Sequence, residues 1–133
     1  MKKNKKKIMV DMSATLIHHG HIRLLKKAHK YGDVIIALTK DSEIKKYKKY
    51  KPELNYSQRK EILKSIKYVK KIVKSNFFLD DKFLNKHNIN LLIHGHENKN
   101  KIHKNRIAIF KRTKNISSTI LRKRAMRCLK KQK

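Results

Sequence analysis

Three histidines, His18, His19 and His21, crowd around Gly20 in the run Asp11-Met12-Ser13-Ala14-Thr15-Leu16-Ile17-His18-His19-Gly20-His21. An amphipathic pattern follows them directly, so these imidazoles sit at a helix start. Exposed backbone N–H groups and the helix dipole favour anions there, and Gly20 lets backbone approach a ligand closely. His18 and His21 can each donate a hydrogen bond to a phosphate whose charge grows during displacement. That chemistry is electrostatic stabilisation of a transition state, not proton abstraction. A plain polar capping loop would not call for three imidazoles in four positions.

Two further groups could act beside them. Arg112-Thr113-Lys114-Asn115-Ile116-Ser117-Ser118-Thr119 combines an arginine, hydroxyls and a second helix start, which together form an anion cradle. Capping by Ser117 alone would explain the serines but not the whole set. His94-Gly95-His96 adds imidazole, with Glu97 as the nearby carboxylate. A tetrahedral zinc site wants fewer histidines than two such clusters supply, and no cysteine accompanies them. Metal ligation is therefore not the expected role of these residues.

Elements must bring these groups together. Ile8-Met9-Val10 reads as a buried strand ending at Asp11, and Ile22, Leu24, Leu25 and Ala28 mark one face of a helix stopped at Gly32-Asp33. Val34 to Leu38 is a continuous, β-branched run of the kind buried in parallel sheets. Lys40 to Asn55, closed by Pro52, shows no hydrophobic period and reads as a loop with a helical turn. Ser57 is the expected cap of a helix through Ile62, Leu63 and Ile66, and Ile72-Val73 marks a third strand. Asp80 or Asp81 opens a helix that holds Phe83 and Leu84 inward. Leu91 to Gly95 and Ile107 to Phe110 are the fourth and fifth strands, and Ser117 or Ser118 opens a last helix with Ile120, Leu121, Ala125 and Leu129. This alternation predicts an α/β fold: a single Rossmann-like three-layer domain over 1–133, with a five-stranded, mainly parallel sheet and a basic lead at 1–7. Ligands in such sheets bind at the carboxyl ends of the strands, where all three groups fall.

Composition narrows the function classes. The 133 residues carry 38 Lys+Arg against 9 Asp+Glu, a net charge of +29, and the basic set divides into 31 Lys and 7 Arg. Such a chain attracts polyanions, and contact with nucleic acid at low salt is expected whatever its function. The lysines are spread over nearly every segment, however, and no Trp or Arg-rich stripe accompanies them, so the charge reads as largely compositional. Lone Cys128 excludes an internal disulfide and reads as a half-buried small residue of the last helix. No apolar run approaches the ~20 residues of a membrane span, and a cytoplasmic location is expected. A P-loop and a dinucleotide fingerprint are both missing.

The segment Leu16-Ile17-His18-His19-Gly20-His21-Ile22-Arg23-Leu24-Leu25 resembles the His-x-Gly-His signature of the nucleotidylyltransferase superfamily, in its cytidylyltransferase form. Tyr56-Ser57-Gln58-Arg59-Lys60 is similar to that family's second helix, and Arg112 to Thr119 to its Arg-Thr-x-Gly-Ile-Ser-Thr-Thr motif. The ordered set spans about Ile8 to Arg124. Met12-Ser13-Ala14 before the signature is especially like cytidylyltransferase domains of phosphonate pathways.

This resemblance implies transfer of CMP from CTP to a small phosphate monoester or phosphonate, with Mg²⁺ and release of pyrophosphate; an adenylyltransferase is the near rival. It assigns catalytic roles to His18, His21, Lys48 and Arg112, with Lys46 in reserve for Lys48. Nucleotide contacts fall to Ser13, Ala14, Gly20, Arg59, Gly95, His96, Ser117, Ser118 and Thr119, and no metal ligand is assigned. A homodimer is implied as well. The chain departs from the family at Met12-Ser13-Ala14-Thr15 for Gly-Thr-Phe-Asp, Gly95-His96-Glu97-Asn98 for Gly-Asp-Asp-Trp, Lys67 for arginine and Asn115 for glycine.

Overall fold

The apolar runs of the sequence become strands with both faces covered. In a computed structural model, which describes residues 5–95 and 99–132, β1 is Lys7–Met12, β2 Asp33–Thr39, β3 Val69–Ser75, β4 Leu91–His94 and β5 Ile107–Ile109. They form one sheet in the order β3-β2-β1-β4-β5. Every pairing is parallel, not merely most of them.

Alternate residues of the strands feed two cores. Ile8, Val10, Ile36, Leu38 and Ile93 face one cluster with Leu25 and Ala28 of α1 (His19–His29) and Leu63 of α3 (Tyr56–Lys64). Met9, Ile35, Ala37 and Leu92 face the other with Leu84 of α4 (Asp81–Lys86). Each fully buried aliphatic side chain contributes about 1.5–3 kcal/mol. The three layers follow from this two-sided burial.

Local signals set most helix ends. Asp80 caps α4 through the N–H of Phe83 at 2.9 Å, and Ser117 caps α5 (Ser118–Lys131) through that of Ile120 at 3.0 Å. The expected Ser57 cap is displaced by two residues. Asn55 caps α3, with Gln58 returning a bond to the Asn55 N–H in a capping box. Ile62 is 43% exposed, because the core face of α3 belongs to Arg59 and Leu63.

Other departures have tertiary causes. The first half of the stretch after Lys40 is more than a helical turn: it holds α2 (Asp41–Lys48), with Asp41 and Glu43 in its first turn, Lys45, Lys46 and Lys48 in its last, and buried Ile44, and only residues 49–55 form the loop. That charge order suits the helix dipole. Its carboxylates also bind outward, Asp41 to Arg59 and the Tyr56 N–H, and Glu43 to the Phe77 N–H. Helix α5 buries none of its residues, and Cys128, expected half-buried, is exposed. Among the described residues no helix is long and apolar enough to cross a membrane.

Candidate active site

Chain order reverses between β1 and β4, and a cleft of about 530 Å³ opens at the carboxyl ends of those strands. Its wall brings together Ser13, Ala14, His18, Gly20, His21, Lys48, Gly95, Arg112, Ser117, Ser118 and Thr119. Residues from four separate segments of the sequence thus share one wall. His96 lies outside the described residues.

The α1 entrance is built from its own imidazoles. His18 is the N-cap, its Nδ1 accepting the Gly20 N–H at 3.0 Å, while His21 Nδ1 accepts the His18 N–H at 3.1 Å. The rings pack against each other at a tilt of 38°, with centroids 4.0 Å apart. A nitrogen that accepts carries no proton, so in each neutral ring the proton resides on Nε2. Burial holds the His21 pKa down at about 3, helped by the charges of His18, Arg112 and Lys48. Burial, His19 and Arg112 also lower that of His18. Both rings are thus neutral Nε2–H donors at pH 7. Gly20 is required by this packing, because a Cβ there would stand 2.8 Å from His18 Cε1.

The loop before the signature is strained and tied down. Ala14 adopts φ 48°, a left-handed backbone that costs a residue with a side chain about 1–2 kcal/mol. Arg59 holds it from below. This arginine, expected among the phosphate contacts, is fully buried away from the cleft wall. Its guanidinium donates to the carbonyls of Ser13 at 2.6 Å, Thr39 at 2.9 Å and Leu54 at 3.1 Å, and to Asp41 at 2.6 Å. With four hydrogen bonds made inside the protein, it joins the ends of β1 and β2 to α2 and α3.

The α5 start works differently. Ser117 Oγ caps Ile120, and Ser118 Oγ accepts the Leu16 N–H at 3.1 Å while donating to the Leu16 carbonyl at 2.9 Å. Ser118 therefore spends its hydroxyl on the signature loop rather than on a ligand. What remains for an anion are the first backbone N–H groups of the helix, which have no partner within it, and the side chain of Thr119 on the cleft wall. Asn115 adopts φ 62°, the left-handed backbone that the family's glycine would take. Lys48 projects from the end of α2 to the cleft, and burial of its ammonium with Arg112, Arg122 and Arg59 nearby lowers its pKa against the opposing effect of Tyr50. Lys46 instead lies over the Tyr47 ring, off the cleft wall.

Several lining groups escaped sequence reasoning. Asp11 is the one carboxylate on the wall among the described residues, and both its oxygens accept from His94 Nδ1, at 2.8 and 2.9 Å. The carboxylate accepts only, so Nδ1 carries the ring proton. The signal was available: Asp11 and His94 each follow the last paired residues, Val10 and Ile93, of neighbouring strands. Phe77 and Phe78 also line the cleft and pack with Tyr47 at ring distances near 5 Å. Their place beyond β3 becomes visible only once β3 is paired.

Residues 13–124 match the family model described as "Cytidylyltransferase-like". The chain belongs to the cytidylyltransferase-like family. This cytidylyltransferase-like chain is 29% identical over 119 residues to a glycerol-3-phosphate cytidylyltransferase of Staphylococcus aureus, covering 86% of this chain and 90% of the relative. It is 33% identical over 72 residues to an FAD synthase of Korarchaeum cryptofilum, covering 51% and 49% of the two chains. A solved structure, the lipopolysaccharide core biosynthesis protein from Thermoplasma volcanium, shares the fold with a TM-score of 0.69 at 15% identity, over 81% of this chain and 98% of that one. The protein is accordingly a nucleotidyltransferase of the cytidylyltransferase family.

Proposed function

We propose that this enzyme transfers CMP from CTP to a small phosphate monoester or phosphonate and releases pyrophosphate. The observation that carries the reading is the pair of neutral imidazoles, His18 and His21, whose free Nε2–H groups share one cleft with Lys48, Arg112 and the α5 start. An acceptor oxygen attacks the α-phosphorus in line; a new P–O bond forms as the bond to the bridging oxygen breaks, and pyrophosphate carries away the electron pair. The attacking oxygen is already deprotonated near pH 7, so no general base is needed. Nε2–H donors stabilise the charge that builds on the α-phosphate. Lys48, Arg112 and the backbone N–H groups of Ser118 and Thr119 receive the outer phosphates.

The donor set also bears on the metal. Asp11 is held by His94, and among the described residues no group of three acids, histidines or cysteines could cage a cation. The residues do not fit a resident Mg²⁺; it would enter already bound to the nucleotide's phosphates. The Phe77 and Phe78 rings on the cleft wall suit an acceptor that carries an ammonium besides its phosphate or phosphonate.

The test is pyrophosphate release from CTP and Mg²⁺ with phosphoethanolamine, phosphocholine, glycerol phosphate, sugar phosphates and aminoalkyl phosphonates. Release with an amine-bearing acceptor is expected, and a folded sample that turns over none of them refutes the reading. The match to an FAD synthase favours adenylyl transfer as the second reading. ATP in place of CTP decides between them.

A further inference from the structure

We infer that Arg122, which does not line the cleft, is a positioning residue that holds three arms of the site in one register. The inference rests on the nucleotidyl-transfer reading above. The arms are the signature loop, the segment that follows Lys48, and α5, and each carries or directly adjoins groups on the cleft wall, in the second case Lys48. Arg122 meets all three. It belongs to α5, its Nε and Nη2 form a two-pronged pair with the Glu53 carboxylate (Nη2–Oε1 2.7 Å), and Nη2 also donates to Thr15 Oγ1 at 3.2 Å. The guanidinium lies 4.2 Å from the centre of the Tyr50 ring, and the Tyr50 hydroxyl reaches Thr15 Oγ1 at 3.3 Å.

The partners are close in sequence to groups that face the ligand. Thr15, fully buried, stands next to strained Ala14 and three residues before His18. Tyr50 stands two residues after Lys48, across the left-handed Lys49 at φ 65°. Helix α5 has no fully buried residue and only half-buried Ile120 and Leu121 among its apolar first turns, so polar ties add to the packing that sets its height over the cleft. These ties run from Ser118 to Leu16 on one turn and from Arg122 to Glu53 and Thr15 on the next. Only a planar fork can serve a carboxylate, a hydroxyl and a ring face together, which a lysine ammonium cannot.

A part-exposed ion pair adds little to stability, so loss of these ties should leave the fold standing while the arms drift. Displacements of an ångström far from the reacting atoms can cost about 10²-fold in rate. The experiment compares wild type, Arg122→Ala, Arg122→Lys and Glu53→Gln by pyrophosphate release and by backbone hydrogen exchange. Arg122→Ala is expected to lower kcat/KM for CTP about 10²-fold, with Arg122→Lys recovering part of the loss. Exchange should rise together in three segments, 13–18, 48–55 and 117–122. Should Arg122→Ala not fold, Glu53→Gln is expected to show the same three-segment pattern at smaller amplitude. A rise confined to 117–122, or an Arg122→Ala enzyme as active as an active wild type, overturns the inference. If wild type itself releases no pyrophosphate, the nucleotidyl-transfer reading fails, and the exchange pattern alone decides the role of Arg122.

Discussion

Helices α1 and α5 both start at the cleft, yet they are held there by opposite means. The α1 entrance is local: His18 caps the helix, His21 caps His18, and Gly20 leaves room for the ring between them. Its donors to a ligand are side chains. The α5 start uses the Ser117 and Ser118 hydroxyls for structure and offers backbone N–H groups and Thr119 to a ligand, and its position depends on contacts with residues about 70 to 100 places away. A site built this way can lose its catalytic donors through one substitution in α1. It loses its phosphate cradle only if α5 itself moves.

The largest effect tests what lies beneath the α1 side. Arg59→Leu leaves three carbonyls, that of Thr39 fully buried, and the Asp41 carboxylate without their donor, and each buried group left unsatisfied costs about 1–3 kcal/mol. A thermal melt should show that loss, with activity falling as the Ser13–Ala14 strain is released. Next, His21→Ala should reduce turnover about 10²–10³-fold, whereas Ser117→Ala should reduce it less than about tenfold, because the backbone donors persist. Equal losses in a pyrophosphate assay would erase the distinction between the two starts.

Acid should separate them too. The His21 pKa is about 3 when folded and near its ordinary value of 6.5 when unfolded. Between these values the unfolded chain binds a proton that the folded one refuses. Stability is therefore level above pH 6.5 and falls as pH drops towards 3, by on the order of a few kcal/mol from this residue. Urea midpoints at pH 7 and pH 4.5 should differ less for His21→Gln than for wild type. The smallest effect is on stability at the α5 start, where Ser117→Ala removes one cap and costs about 1 kcal/mol.

Much of this comparison was visible in the chain before folding. The imidazole cluster, the serines and the strand runs are short-range patterns, and short-range rules set N-caps such as Asp80 and Ser117. Arg59 was misplaced for an instructive reason. The family resemblance assigns it to phosphate, but three carbonyls from separate elements converge on it. Helix α2 escaped for a related one: its apolar content is a single buried Ile44, and its acidic first turn is stabilised by Arg59 and Phe77, which are distant in sequence.

The sequence by itself determined the family through its ordered motifs, and the order of strands and helices other than α2, because burial periodicity and capping are properties of neighbouring residues. The tertiary structure decided the protonation and direction of the site's groups. Only with the chain folded do burial and neighbouring cations keep His18 and His21 neutral, does Asp11 meet His94, and does Arg122 join three arms of the site. Charge and hydrogen bonding depend on what lies nearby in space, and parallel strands bring residues together from opposite ends of the chain.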